Sequence, residues 1–331
     1  MRYLSVCSGI EAATVAWHPL GWEPVAFCEI EAFPSAVLKE KYPHVPNYGD
    51  FTRLSEPDHP IRSAGVDLLV GGTPCQAFSV AGLRRGLADP RGGLTLEFVR
   101  LAQALRPRWI VWENVPGVLS QDGGRAFGAF LGALGELGYG WAYRVLDAQW
   151  FGVAQRRRRV FVVACAGGDA GRAAAVLFEP EGVRRDPPTR GETRESAAAD
   201  AYGGADGGSV AGTVSSKWAK GTGGPAGDEH YNLTVAFDAR QSGVLFYGDK
   251  TGPLDTDGHS IAINAGVSVR RLTPRECERL QGFPDDYTRI PWKKKGADEC
   301  PDGPRYKALG NSMAVPVMRW IGERIAKVEK E

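Results

Sequence analysis

The amino-acid sequence predicts an α/β fold, in which a parallel sheet wrapped by crossover helices precedes a second, smaller, β-rich domain. In the first half of the chain, short β-rich apolar runs alternate with helix-like segments, which is the pattern of βαβ units. From about residue 167 the composition turns to Gly, Ser and Thr, with short strand-like pieces between turn signals. With 331 residues, 43% of them hydrophobic, the chain can fill one large core and one smaller core.

Five apolar runs are expected to form the strands of the sheet, because each is short and rich in β-branched or aromatic residues. These runs are 3–6, 24–29, 67–72, 109–114 and 160–165. Helix-like segments connect them at 10–17, 32–42, 94–105 and 127–137. The carboxyl ends of parallel strands meet at one edge of such a sheet, and ligands bind at that edge.

Two further helices are expected near the C-terminus. In LTPRECERLQGF, Thr273 can cap a helix, Pro274 suits its first position and Glu276 completes a capping box. A last helix is predicted from about 314 to 327.

The composition changes near residue 167. We predict a sheet domain at 1–166 and a second, smaller domain from residue 167 onward. The Gly-rich stretch 196–230 also fits a disordered insert.

Cysteine content and charge narrow the class of protein. Six cysteines are scattered without a CxxC pair or a histidine cluster, which argues against a zinc site and a disulfide framework, so no metal is expected. The first residues lack a secretory signal and no apolar run is long enough to cross a membrane, so we expect a cytoplasmic protein. The net charge of +1 hides basic clusters at 84–85, 155–159, 184–185 and 293–295.

Three residues, two of them at strand ends, point to a nucleoside site. Gly9 follows the first strand, where backbone amides meet a ligand in this class of fold. Glu29 ends the next strand, from which a carboxylate accepts hydrogen bonds from ribose hydroxyls, and Asp50 can receive an adenine amino group. GxGxxG and a phosphate-binding loop are both absent, so the acidic pair fits a nucleoside with a positive centre, such as S-adenosylmethionine.

Cys75 and Glu113 follow the third and fourth predicted strands. Cys75 comes after Pro74 in a glycine-rich turn that presents its sulfur. A thiolate can attack ring carbon 6 of a pyrimidine while an acid protonates ring nitrogen 3, and the enamine formed makes ring carbon 5 nucleophilic enough to take a methyl group. Ordinary core packing is the interpretation for Cys28, Cys165, Cys277 and Cys300.

The run QRRRRVFVV predicts that Arg157 and Arg159 share one face of a strand, because alternate side chains point the same way. Free cysteine titrates near ~8.5, so nearby positive charge would favour a Cys75 thiolate. These two arginines are candidates for that charge. The other interpretation is that the arginines form a solvated basic end of the strand, and it suits Arg156 and Arg158 better.

Six motifs in order resemble the DNA cytosine-5 methyltransferase family, of phage, prophage or restriction-modification type. They are SVCSGIEAAT, PCQ, ENV, QxRxR, RRLTPRECERLQGFP and GNS. The resemblance implies a Rossmann-like sheet domain at 1–166 that binds S-adenosylmethionine, and a target-recognition domain at 167–304 with a variable core at about 167–268, between QxRxR and RRLTP. It also implies that the C-terminal segment at 305–331 returns to the sheet domain. It also implies covalent cysteine catalysis of methyl transfer to carbon 5 of a cytosine flipped out of a specific double-stranded DNA sequence. The implied enzyme is a monomer acting on DNA in the bacterial cytoplasm, without contact to membranes.

The resemblance also assigns roles to residues. It makes Cys75 the nucleophile, Glu113 the acid and Arg159 a contact to the cytosine carbonyl oxygen, with Arg157 nearby. The implied cofactor residues are Cys7, Gly9, Glu29, Ile30, Asp50, Pro74, Asn311 and Ser312. The implied DNA contacts are Gln76, Ser79, Arg84, Arg85, Arg91 and Gln155. Because the C-terminal pair folds back to the cofactor, the last helix is expected to pack on the first domain.

Some features leave alternatives open. Cys7 stands where the family usually has Phe, and Glu11 and Ala12 stand where it has further glycine, so a less snug cofactor turn is expected. The same chemistry on tRNA is one alternative, although the long Gly-rich segment after QxRxR favours DNA. A nucleotide-dependent oxidoreductase would need GxGxxG, and an inactive DNA-binding relative would not need Cys75 and Glu113.

Overall fold

The computed structural model describes residues 1–74, 93–179 and 272–331. These residues belong to two compact units. The described residues of the first unit are 1–74, 93–147, 158–179 and 312–331. Those of the second unit are 148–157 and 272–311.

In the described part of the chain, the first unit is built on a six-stranded sheet. Its strands are β1 (Arg2–Val6), β2 (Glu23–Cys28), β3 (Leu68–Gly71), β4 (Trp109–Asn114), β5 (Tyr139–Asp147) and β6 (Arg158–Ala166). They lie in the order β2-β1-β3-β4-β6-β5, and β1 to β4 run parallel. Strand β3 is buried throughout, as expected for a parallel strand covered on both faces. The α/β prediction is confirmed.

The last two strands correct the expectation of a purely parallel sheet. Strand β6 pairs antiparallel with both β4 and β5, and no strand was predicted at 139–147. Residues 148–157 join β5 to β6 without a crossover helix, and parallel neighbours need such a crossover. The sheet is therefore mixed. The aromatic, β-branched composition of YGWAYRVLD is the signal that identifies β5.

Helices separate the strands where the sequence predicts them. The α-helices of the described residues are α1 (Ala12–Trp17), α2 (Ala32–Lys41), α3 (Leu94–Leu105), α4 (Arg125–Glu136), α5 (Ala170–Leu177), α6 (Pro274–Gln281), α7 (Asp302–Asn311) and α8 (Val315–Val328). The four helices predicted at 10–17, 32–42, 94–105 and 127–137 are confirmed as α1 to α4. Helices α5 and α7 were not predicted.

The main hydrophobic core of the first unit contains residues of β1, β3, β4, α3 and α4. Trp112 of β4 packs on Phe130 of α4 with ring centroids 4.6 Å apart, and both side chains are fully buried. Large aromatic side chains contribute most to core energetics. This packing fixes β4, which ends at the candidate site.

Helix α8 packs on α1, so the C-terminal helix joins the sheet unit as expected. Trp17 Nε1 donates a hydrogen bond to the carbonyl oxygen of Met318 at 2.7 Å. Gly322 permits this approach, because a Cβ there would lie 2.4 Å from Trp17 Nε1.

In the second unit, α6 begins with the predicted capping box. Thr273 Oγ1 accepts from the backbone N–H of Glu276 at 3.3 Å, and Glu276 Oε2 accepts from the backbone N–H of Thr273 at 2.6 Å. Further along α6, the buried Glu278 accepts from Thr288 N at 2.8 Å and from Arg305 Nη2 at 3.2 Å. These bonds tie α6 to α7 without leaving a buried charge unpaired.

Residues 180–271, most of the predicted second domain, lie outside the described residues, so the predicted domain ranges stay a prediction. Helix α5 packs against β5, β6 and α8. Among the described residues, none of the helices has the length and apolar character needed to span a bilayer.

Candidate active site

Four residues lie in one row along the carboxyl edge of the parallel strands. Val6 of β1 lies opposite Cys28 of β2 and Gly71 of β3, and Gly71 lies opposite Trp112 of β4. The next residues along these strands, in the order of the sheet, are Glu29, Cys7, Gly72 and Glu113. Neighbouring strands are about 4.8 Å apart, so the sheet brings the predicted cofactor residues and the predicted acid to one edge.

Glu29 is the centre of a hydrogen-bond network at the end of β2. Its Oε2 accepts from Gly9 N at 2.8 Å and its Oε1 accepts from Glu31 N at 2.7 Å. Asn47 holds the Glu29 backbone from both sides, at 2.9 and 3.1 Å. Burial raises the pKa of the Glu29 carboxyl, although the two backbone N–H groups oppose this. Each carboxylate oxygen has a second acceptor position, so Glu29 can hold the Gly9 turn and also accept two ligand hydroxyls.

Cys7, Ile30 and Asp50 complete the predicted cofactor edge. Burial, with the negative charges of Glu29 and Asp50, raises the pKa of the Cys7 thiol to about 12, so this cysteine is a neutral packing group. Ile30 is 76% exposed, and a ligand ring laid on it would remove this apolar surface from water. Asp50 Oδ1 accepts from Thr52 N at 3.0 Å, which leaves acceptor positions for an amino group. These residues fit S-adenosylmethionine.

Ser312 belongs to the same unit and is buried. Its Oγ donates to the carbonyl oxygen of Met313 at 3.1 Å. Met313 Cε would lie 3.5 Å from a Cβ on Gly72. The segment before α8 therefore reaches the β3 end of the row.

Glu11 occupies a position where the family pattern has glycine, and its side chain is 1% exposed. Ser5 Oγ donates to Glu11 Oε1 at 3.2 Å. Burial raises the pKa of the Glu11 carboxyl to about 8, although hydrogen bonds from Ser5 and Thr14 lower it. The carboxyl is therefore neutral at pH 7 in the folded protein.

We expect Glu11 to make the protein less stable as the pH rises. Between about pH 4.3, where an unfolded Glu titrates, and about pH 8 the folded state holds one more proton than the unfolded state. The free energy of unfolding therefore falls across this window. Urea titrations at pH 6 and 8 should show that the parent protein loses about 1–2 kcal/mol more than Glu11→Gln does. Equal losses in the two proteins would contradict the assignment of a neutral buried Glu11.

Glu113 and Arg159 form a half-buried ion pair. Arg159 Nε lies 3.2 Å from Glu113 Oε1, with side chains 17% and 13% exposed, respectively. Glu113 lies opposite Phe161 in the β4–β6 ladder, and Arg159, two residues before Phe161, shares its face. The ladder thus places the guanidinium beside the carboxylate. Two of the predicted catalytic residues are brought together in this way.

Gly72 lies directly against the Glu113 carboxylate. A Cβ at this position would be 3.1 Å from both Glu113 Oε2 and the Glu113 carbonyl oxygen, closer than ordinary van der Waals contact. Any side chain at residue 72 therefore has to displace the carboxylate.

Gly72→Ala is expected to slow turnover by about 10-fold, since the carboxylate has to move by a few tenths of an ångström and a misplacement of about 1 Å in an active site can cost 10²-fold. Methyl transfer under saturating substrates measures the effect. Gly128→Ala is the control, because Gly128 is an exposed glycine in α4 with open space around it. Similar turnover in the two variants would show that Gly72 does not control the position of Glu113.

Three further predicted residues belong to the second unit. Gln155 is fully buried in the second unit and its Nε2 donates to the carbonyl oxygen of Leu280 at 3.0 Å. Arg157 is also buried there, and its Nη1 donates to the carbonyl oxygen of Gly310 at 3.3 Å. Strand β6 starts at Arg158, so the argument from strand alternation does not extend to Arg157. Asn311 ends α7 in the second unit and is exposed.

Pro74 is exposed at the end of the described stretch. The predicted residues outside the described part are Cys75, Gln76, Ser79, Arg84, Arg85 and Arg91. Their roles stay predictions. The four other cysteines expected to pack in the core, Cys28, Cys165, Cys277 and Cys300, are buried.

Sequence reasoning missed several residues that build the site. They are Asn47, which holds Glu29, Gly72, which lies against Glu113, and the hydrogen-bonded group of Thr73, Thr95 and Trp112. The double glycine before TPC was a signal for Gly72. No sequence signal identified the other missed residues, because their hydrogen-bond partners are distant in sequence.

The chain is similar in sequence to known methyltransferases. The family model described as C-5 cytosine-specific DNA methylase matches residues 1–177 and 228–327. A protein of Escherichia phage P1 named DNA N-6-adenine-methyltransferase is 41% identical over 98% of this chain, and the chain spans 61% of its length. The Type II methyltransferase M2.BsuMI of Bacillus subtilis is 30% identical over 99% of this chain and 76% of its own.

The fold has close counterparts among solved structures. The crystal structure of S. pombe Dnmt2 methyltransferase superposes with a TM-score of 0.62 at 17% identity, covering 99% of this chain and 98% of its own. S-adenosylmethionine is the methyl donor of the family. The family model covers most of the chain, including every described residue of the strand-end row. The chain therefore belongs to the C-5 cytosine-specific DNA methylase family.

Proposed function

We propose that this protein is a DNA (cytosine-5)-methyltransferase that uses S-adenosylmethionine and acts on a specific double-stranded sequence. The observation that supports it most is the placement of Glu113. Its carboxylate is paired with Arg159 and lies against Gly72, three residues before Cys75. The acid and the nucleophile thus come from neighbouring strands.

The chemistry assigns a step to each of these residues. The Cys75 thiolate adds to ring carbon 6 of the cytosine while the Glu113 carboxyl donates a proton to ring nitrogen 3. Ring carbon 5, now enamine-like, takes the methyl group that S-adenosylmethionine would supply when bound, with S-adenosylhomocysteine as the leaving group. A base then removes the proton from carbon 5, the bond from sulfur to carbon 6 breaks to release the thiolate, and ring nitrogen 3 returns its proton to Glu113.

Arg159 has two tasks in this scheme. It holds the Glu113 carboxylate in place through the ion pair, and its remaining guanidinium donors can bind the cytosine carbonyl oxygen at ring carbon 2. Arg157 is bound to Gly310, and we assign it the lesser role of supporting the QxRxR segment.

The cytosine must leave the duplex to reach a sheet edge, at a cost of a few kcal/mol in unstacking. Phosphate contacts from basic residues offset such costs, and the sequence assigns them to Arg84, Arg85 and Arg91, alongside Gln76 and Ser79. Gln155 is buried, so we assign it to packing rather than to DNA. Sequence reading in the major groove is assigned to the region between QxRxR and RRLTP. We place the enzyme in the bacterial cytoplasm as a monomer.

One relative supports a second candidate. The phage P1 protein is named as an N-6-adenine methyltransferase and shares 41% identity with this chain. Methylation of an exocyclic amino group needs no attack on a ring carbon, so it would leave the thiol of Cys75 without a role.

The test is incubation with labelled S-adenosylmethionine and unmethylated DNA or tRNA, followed by nucleoside analysis by mass spectrometry. The proposal predicts 5-methylcytosine in DNA, and bisulfite sequencing would then map the target. N6-methyladenine in DNA would support the second candidate, 5-methylcytosine in tRNA alone would support the tRNA alternative, and no label in either would oppose all three.

A further inference from the structure

Thr73 is a buried hydroxyl residue two positions before Cys75. It is 2% exposed, and three residues hold it. Trp112 Nε1 donates to Thr73 Oγ1 at 3.1 Å, and Thr95 Oγ1 lies 3.0 Å from the same oxygen. Asn114 Nδ2 donates to the Thr73 carbonyl oxygen at 2.8 Å. Both the side chain and the backbone of Thr73 are therefore fixed.

Both side-chain hydrogen bonds of Thr73 require its hydroxyl group. An indole N–H only donates, so Thr73 Oγ1 must accept from Trp112, while either threonine can donate in the pair with Thr95. Valine has nearly the shape of threonine but would leave two buried polar groups without this partner. Serine would keep the acceptor and the donor.

The same strand places Thr73 and Glu113. Trp112 and Asn114 point to one side of β4, because side chains alternate along a strand, and both bind Thr73. Glu113, between them, points to the other side, beside Gly72 and Arg159. Strand β4 therefore fixes the chain that leads to Cys75 and the predicted acid relative to one another.

We infer that Thr73 is a positioning residue for methyl transfer, which anchors the end of β3 from which the chain continues to Cys75, through its bonds to Trp112, Thr95 and Asn114. This inference rests on the proposed function. The residue before a proline is confined to extended conformations and proline fixes its own φ, so the three bonds set the direction of the backbone at Thr73 and Pro74. A shift of about 1 Å at a reacting atom can slow a reaction 10²-fold.

The test compares kcat, the KM for DNA and the Kd for S-adenosylmethionine in Thr73→Val and Thr73→Ser. Thr73→Val should lower kcat by about 10-fold to 10²-fold and change the KM and Kd by less than about twofold. Thr73→Ser should restore kcat to within about threefold. The control is Tyr139→Phe, which removes a buried hydroxyl at the start of β5 that donates to the carbonyl oxygen of Pro107 at 2.7 Å; it should lower Tm and leave kcat unchanged.

Each outcome either supports or overturns the inference about Thr73. A Thr73→Val protein that loses Tm like Tyr139→Phe but keeps the parent kcat overturns the inference. If Thr73→Val does not fold, Thr95→Val removes the same bond from its other end and should also lower kcat, and an unchanged kcat there overturns the inference as well. A parent protein that methylates no DNA refutes the proposed function itself, whereas an active parent with an unaffected Thr73→Val refutes only the role of Thr73.

Discussion

Glu113→Gln is expected to slow methyl transfer to DNA by about 10²-fold to 10⁴-fold, the usual contribution of a positioned acid or base. The amide has the size of the carboxyl group but cannot exchange a proton with ring nitrogen 3. It also loses the charge that pairs with Arg159 at 3.2 Å. Single-turnover rates with excess enzyme measure the chemical step directly.

The Kd for S-adenosylmethionine should change less than about twofold in Glu113→Gln, because Glu113 is not among the predicted cofactor residues. Glu136→Gln, an exposed glutamate in α4, serves as the control and should keep the parent rate. A Glu113→Gln protein within threefold of the parent rate would rule out this residue as the acid.

Glu29→Ala is expected to weaken S-adenosylmethionine binding by about 10²-fold or more. The carboxylate holds Gly9 N and Glu31 N at 2.8 and 2.7 Å, and hydrogen bonds to a charged group each contribute about 1.5–3 kcal/mol. Alanine removes these bonds and the predicted acceptors for ribose hydroxyls. Isothermal titration calorimetry would give the Kd.

The control for this prediction lies on the same strand. Glu23 is an exposed glutamate at the opposite end of β2, and Glu23→Ala should bind the cofactor as the parent does. If Glu29→Ala also binds with the parent Kd, the cofactor does not lie at this edge.

The sequence predicted the parallel part of the fold because its signals are local. Each of β1 to β4 is an apolar run flanked by a helix-like segment, and the Thr273–Glu276 capping box is encoded within four residues. The direction of β6 depended on its pairing with β4 and β5, which is a long-range choice. No local pattern distinguishes a parallel strand from an antiparallel one when both faces are buried.

The candidate site, like the fold, was predictable only where its signals are local in sequence. Glu29, Glu113 and Arg159 stand at strand ends and could be identified by position and chemistry. The network around Thr73 could not, since its partners Thr95, Trp112 and Asn114 lie 22, 39 and 41 residues away. The network also consists of neutral hydroxyl, indole and amide groups, which resemble the polar groups found in an ordinary protein core.

The most direct test of the account is covalent trapping on duplex DNA that carries 5-fluorocytosine at the target site, in the presence of S-adenosylmethionine. Fluorine replaces the proton that must leave carbon 5, so the bond between sulfur and carbon 6 cannot be released after methyl transfer. The account predicts a denaturation-resistant complex in the parent protein, with the crosslinked peptide containing Cys75, and no complex with Cys75→Ser. An enzyme that methylates cytosine at carbon 5 yet forms no complex, or a complex that persists in Cys75→Ser, would contradict it.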